Sequence, residues 1–138
     1  MPLTLDTETI RLINLFENIT GATVRDCIVE EGIVYYVVDE GKIRIAIGKN
    51  GSAIKSAEKI IGKKIKVFEF DKDPVKFVKK MIPKTIDVEL KVNDNKRIIF
   101  VKVPKKDKPF VIGRNGRNIK IYRKILERNH KIDDIKVR

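Results

Sequence analysis

Two stretches of the chain carry the same residue types at the same spacing. Ile47-Gly48-Lys49-Asn50-Gly51-Ser52-Ala53-Ile54-Lys55 and Ile112-Gly113-Arg114-Asn115-Gly116-Arg117-Asn118-Ile119-Lys120 both read I-G-[KR]-N-G-x-x-I-K, at an offset of 65. The chemistry such a stretch can do is anion binding. Gly48 and Gly51 lack a Cβ, so a phosphate backbone can approach closely and the turn can take unusual φ values. Lys49 adds a full positive charge and Asn50 a hydrogen-bonding amide. A helix opening directly after the loop adds unpaired N–H groups of partial positive charge. Gly113, Arg114, Asn115 and Gly116 repeat the arrangement. Ile47, Ile54, Ile112 and Ile119 flank the loops and can line an apolar groove for bases, with Lys55, Arg117 and Lys120 adding charge just beyond.

Other chemistries fail on the residues available. Neither Gly48-Lys49-Asn50 nor Gly62-Lys63-Lys64 completes the G-x-x-x-x-G-K-[ST] phosphate loop, and no G-x-G-x-x-G follows a strand. One cysteine, Cys27, makes no internal disulfide, and with one histidine, His130, it makes no standard structural zinc site. A Ser-His-Asp or Cys-His arrangement would have to use His130, close to a helix end. Cys27 reads instead as a small hydrophobe in a strand, and His130 as a solvated residue near a helix terminus, where positive charge is welcome. No carboxylate pair suggests metal-assisted hydrolysis. The expectation is a binding protein, not an enzyme, with no catalytic residue, metal or cofactor.

The charge names the ligand class. The chain has 138 residues, with 31 Lys and Arg against 19 Asp and Glu, a net +12. That balance favours polyanions, nucleic acid before acidic membrane. No run approaches the roughly 20 apolar residues of a membrane helix, and no long basic amphipathic helix flanks the chain. The N-terminal Met1-Pro2-Leu3-Thr4-Leu5-Asp6 has no basic or long apolar leader region, so the expected location is the cytoplasm. All the excess lies in one half. Residues 1–70 hold 10 basic and 10 acidic side chains, and residues 71–138 hold 21 basic and 9 acidic. Within the first half, residues 1–40 carry −6 and residues 41–70 carry +6. The second half should therefore supply most of the long-range attraction, through Lys105, Lys106 and Lys108 before its loop and Lys120, Arg123 and Lys124 after it.

The elements that must hold the loops also repeat. In the first half, Asp6 or Thr7 caps a helix bearing Ile10, Leu12, Ile13, Phe16 and Ile19, which Gly21 ends. Strands over 23–30 and 33–38 follow, joined at Glu31-Gly32. A short helix over 42–47 enters the loop, a longer one over 52–61 leaves it, and a strand over 64–70 closes the unit. In the second, Asp73-Pro74 opens a helix burying Val75, Phe77, Val78 and Met81, stopped by Pro83. Strands span 86–92 and 97–103 around an Asn93-Asp94-Asn95 turn. Asp107 caps the short helix, a long helix covers 117–128, and a strand covers 134–137. The order is α-β-β-α-α-β twice, with units at 1–70 and 71–138. The connection, Phe70 to Pro74, is too short for a flexible linker, so fixed packing of the units is expected.

The I-G-x-x-G-x-x-I core between two helices resembles the KH domain, which clamps about four single-stranded nucleotides. The leading helix and strand, with no helix after the last strand, resemble its type II form. Two tandem type II units in a small α+β chain resemble the archaeal NusA-like transcription factors. The resemblance implies single-stranded RNA as ligand and a role in transcription elongation, termination or antitermination. Bacterial NusA also carries a polymerase-binding domain and an OB-type domain, and neither fits here. Any RNA polymerase contact would then run through the KH surfaces or another subunit. A monomer is expected. Three alternatives stand beside this reading: a KH factor of ribosome assembly or RNA processing, a phosphate-ester enzyme, and a single-stranded DNA binder.

Overall fold

The computed structural model describes residues 6–138; the Met1–Leu5 stretch inspected for a leader lies outside them. The chain divides into two compact units, the first ending at Asp71 and the second spanning Lys72–Arg138.

In the first unit, Asp6 caps helix α1 (Thr7–Thr20) by accepting the Thr9 N–H at 2.7 Å. Gly21, at φ 80, ends it. Strands β1 (Val24–Glu30) and β2 (Ile33–Val38) pair antiparallel. Glu31 and Gly32 both have positive φ, as a two-residue type I′ hairpin requires. Helix α2 (Ile43–Ile47) precedes the loop and α3 (Ser52–Ile61) follows it. Strand β3 (Lys64–Glu69) then pairs parallel with β2, giving the order β1-β2-β3. Cys27 is buried in β1.

The helices cover one sheet face. Leu12 and Phe16 from α1, Ala46 from α2 and Ala57 from α3 pack with Val34, Tyr36, Val38, Cys27 and Ile65. Phe16 stacks on Tyr36 at 4.1 Å, and the Tyr36 hydroxyl donates to the Leu12 carbonyl at 2.7 Å. Burial pushes the Tyr36 phenol well above its usual range, so it stays a donor. Burying each Leu, Ile or Phe is worth roughly 1.5–3 kcal/mol. The loop itself buries no side chain, so this core is what fixes its position.

The second unit repeats the plan with α4 (Pro74–Met81), β4 (Asp87–Asn93), β5 (Lys96–Lys102), α5 (Lys108–Ile112), α6 (Arg117–His130) and β6 (Asp134–Val137). Its sheet order is β4-β5-β6, antiparallel then parallel. Phe77, Val78, Met81, Val88, Ile99, Val101, Ile121, Ile125, Leu126 and Ile135 are buried. Val75, expected inside, is only partly covered.

Several expectations need correction. The β4–β5 turn is two residues, Asp94 and Asn95, both at positive φ, and Asn93 pairs with Lys96. A tight type I′ turn needs only two residues, so Asn93 is free to continue the ladder. Asp107 stands at the start of α5 without capping it; its backbone is already helical, and its carboxylate faces Lys84 at 3.9 Å. Helix α6 runs to His130, beyond Arg128, because Lys131 takes the left-handed conformation there and Ile132 buries behind it. His130 is consequently not a solvated end residue: its ring lies tilted on Phe77 at 5.3 Å, and its carbonyl accepts from Arg97 Nη1 at 2.6 Å.

Candidate nucleic-acid interface

The two loops share one backbone geometry. Gly48 has φ 79, ψ 170 and Gly113 φ 79, ψ 168. Asn50 and Asn115 both have φ 56, ψ 28. Gly51 and Gly116 are left-handed at φ 76 and φ 71. Each loop closes twice on backbone bonds. Gly48 N–H donates to the Arg44 carbonyl at 2.8 Å and Gly51 N–H to the Gly48 carbonyl at 3.1 Å. In the second, Gly113 N–H donates to Pro109 at 2.9 Å and Gly116 N–H to Gly113 at 3.1 Å. The local cause is a helix end and a helix start separated by four residues, three of which take positive φ to turn the chain so tightly.

The first glycine of each loop has a reason the sequence did not reveal. A Cβ on Gly48 would lie 2.6 Å from the Ala53 nitrogen and 2.8 Å from its Cβ. One on Gly113 would lie 2.8 Å from Asn118 Cγ and 2.9 Å from its backbone nitrogen. The opening turn of the following helix occupies that space, so these glycines serve the turn before they serve any ligand. Gly51 and Gly116 meet nothing so tight, the nearest atoms standing at 3.6 and 3.7 Å.

The tips are open. Lys49, Asn50, Arg114 and Asn115 are exposed, and neither following helix has a side-chain cap. Charge and amide thus sit beside the positive end of α3 or α6. Ile54, Ile112 and Ile119 are half-buried beside the loops, and Ile47 is 39% exposed. Lys55 lies along the first loop, its Cε close to Gly51. Arg117 opens α6 half-buried, and Lys120 is exposed one turn on. Lys105 and Lys106 are exposed in the turn closed by Asp107 N–H donating to Pro104 at 2.9 Å. Lys108 begins α5, a helix of five residues. At 1.5 Å per residue Lys108 stands about 7.5 Å from the loop along the axis, inside a Debye length of ~8 Å at physiological salt. Arg123 is differently employed: its Nε donates to Asp134 Oδ1 at 2.8 Å. Burial would raise the Asp134 pKa, but the bonds from Arg123 and the Ile135 N–H outweigh it and hold the carboxyl below its ordinary value.

Residues 12–93 match the KH domain family. A "Probable transcription termination protein NusA" of Methanocaldococcus jannaschii is 36% identical over 135 residues, 96% of this chain and 74% of that protein. One of the same name from Halococcus morrhuae is 30% identical over 99% of both. The chain belongs to the archaeal NusA-like KH proteins. The crystal structure of APE1850 superposes on this NusA-like chain with a TM-score of 0.83 at 31% identity, covering 97% of this chain and 100% of that one. The matched family span takes in the whole first loop and runs into β4 of the second unit.

Asn118 was missed in the repeat, where it occupies an unspecified position. Its Nδ2 donates to the Phe110 carbonyl at 2.9 Å, tying the end of α5 to the start of α6 across the loop. The first unit has Ala53 there, and the signal was that substitution of an amide for a methyl. Of the aromatic residues with π-faces to offer, Tyr35 and Tyr36 are buried, whereas Phe110 is 75% exposed. Among the described residues no helix is long and apolar enough to cross a membrane.

Proposed function

We propose that this NusA-like chain binds single-stranded RNA in transcription, holding an extended strand with phosphates at the two loops and bases against Ile47, Ile54, Ile112 and Ile119. The observation that carries the reading is the recurrence of one exposed, basic Gly-x-Asn-Gly turn, with matching dihedrals, at the head of a helix in each unit. Such a turn offers backbone N–H groups and a cation to phosphate. The second unit, with Lys105, Lys106 and Lys108 near its loop, provides most of the long-range attraction, and the first acts at short range. A strand long enough to reach both loops engages both units. The relatives' name, probable transcription termination protein, supports a role in termination; action in elongation or antitermination, with RNA polymerase as the protein partner, belongs to the same proposal. The protein acts as a monomer in the cytoplasm and binds without turnover.

The test is a fluorescence titration of a mixed-sequence single-stranded RNA long enough to reach both loops. The wild type is compared with a folded variant carrying Lys49→Asp, Asn50→Asp, Arg114→Asp and Asn115→Asp. Salt-sensitive binding that the variant loses supports the loops as the site. Equal binding by both would mean that net charge alone holds RNA, and the loops would be structural turns.

A further inference from the structure

The second unit has a cavity of about 310 Å³ lined by Pro83, Lys84, Asp107, Phe110, Val111 and Tyr122. Its origin is a shortened helix. In the first unit α1 runs on to Thr20, Ile19 packs on the core, and Gly21 lies beside Ile45, whose Cγ2 would stand 3.7 Å from a Cβ added there. In the second, Pro83 follows α4, which ends at Met81, and Lys84 turns away at φ 64. Ile45 and the fully buried Ala57 correspond, at the repeat offset of 65, to Phe110 and Tyr122. A half-exposed Ile and a buried Ala are thus replaced by two aromatic rings around an open space.

We propose that this cavity is a base-binding subsite, which takes one nucleobase of the strand held at the second loop, by stacking on Phe110 and Tyr122. Three observations converge on that occupant. Phe110 is 75% exposed and lines the cavity, so its ring is accessible to a base. It lies within one turn of Gly113 on the same helix, and Asn118 holds its carbonyl, so the ring has a fixed place beside the loop. The rim is basic: Lys84 lines the cavity, and Lys105, Lys106 and Lys108 flank Asp107 in sequence. An aromatic wall under a cationic rim suits an unstacked base with its phosphate, and suits an apolar peptide poorly. The Asp107 side chain, 13% exposed, provides an acceptor at the wall. A carboxylate accepts from an exocyclic amine, so the subsite favours amine-bearing bases over uracil.

The inference rests on the RNA reading above, and the experiment separates the two. An oligouridine with one central 2-aminopurine is titrated into wild type, Phe110→Ala, Phe110→Trp and the Arg114→Asp/Asn115→Asp loop variant. Phe110 is exposed, so these substitutions leave the fold intact, checked by circular dichroism. The expected result is quenching of the 2-aminopurine in wild type and Phe110→Trp. Phe110→Ala should lose the quenching and bind roughly fivefold or more weakly, the loss of one stacked base, with the salt slope unchanged. If Phe110→Ala quenches and binds like wild type while the loop variant fails, the RNA reading stands and the subsite is overturned. No binding by wild type overturns both.

Discussion

The two units satisfy one backbone donor with a carboxylate placed on different elements. In each, the N–H of the second residue of the closing strand needs an acceptor. In the first unit Glu58, on α3, accepts the Ile65 N–H at 2.9 Å. In the second the acceptor has moved to the strand: Asp134 takes the Ile135 N–H at 2.8 Å. The helix position of Glu58 is thereby freed, and Arg123 stands there, bonded to that same carboxylate. Both loops meanwhile keep the same dihedrals to within a few degrees. Backbone geometry is therefore held between the units while side-chain charge drifts, and the drift runs toward a basic second unit. This difference predicts a division of labour between two loops of one shape.

The largest expected effect tests that division directly. Arg114→Asp/Asn115→Asp should weaken RNA binding by ~30-fold or more, from lost charge-assisted hydrogen bonds and new repulsion. Lys49→Asp/Asn50→Asp should cost several-fold less. Equal losses in a fluorescence titration would break the comparison and leave two equivalent sites.

Next come the first glycines. Gly48→Ala should cost about 2–3 kcal/mol and Gly113→Ala about 1–2, within the range for strained backbone, by urea unfolding. The obstacle at Gly48 is backbone and a short methyl, whereas at Gly113 part of it is the Asn118 amide, which can swing away. Adding Asn118→Ala to Gly113→Ala should recover part of the loss; no recovery would place the whole clash on the backbone.

A smaller effect concerns the approach field. Lys105→Ala/Lys106→Ala should lower the salt slope of binding by up to about 1.4, at 0.7 per phosphate contact. An unchanged slope would mean the second unit's charge does not steer the strand.

The smallest is a pH effect. Asp134 is held below its unfolded value, so its contribution is present above about pH 4 and is lost as pH falls through the folded pKa. Asp134→Asn should flatten that part of the stability–pH curve and cost no more than about 1 kcal/mol, since both partners are over a third exposed.

Much of this molecule is legible in its sequence because its signals are local. A cap such as Asp6, a stop such as Gly21 or Gly62 and a turn such as Glu31-Gly32 act through neighbours a few residues away. The repeat placed both loops between helices, and the charge arithmetic separated the units. What it misjudged depends on distant partners. Asp107 looks like a cap but faces Lys84, 23 positions earlier. His130 looks solvated but meets Phe77, on another helix.

By itself the sequence determined the element order, the KH resemblance and the basic glycine turns, since capping, periodicity and the left-handed demand of a tight turn are properties of short segments. Only the tertiary structure decided which aromatic rings stay at the surface. Tyr36 is drawn under α1 and Phe110 left out, because burial is set by how far a neighbouring helix extends. A different contact explains why Gly48 and Gly113 must lack a side chain: the first turn of α3 or α6 already fills the space.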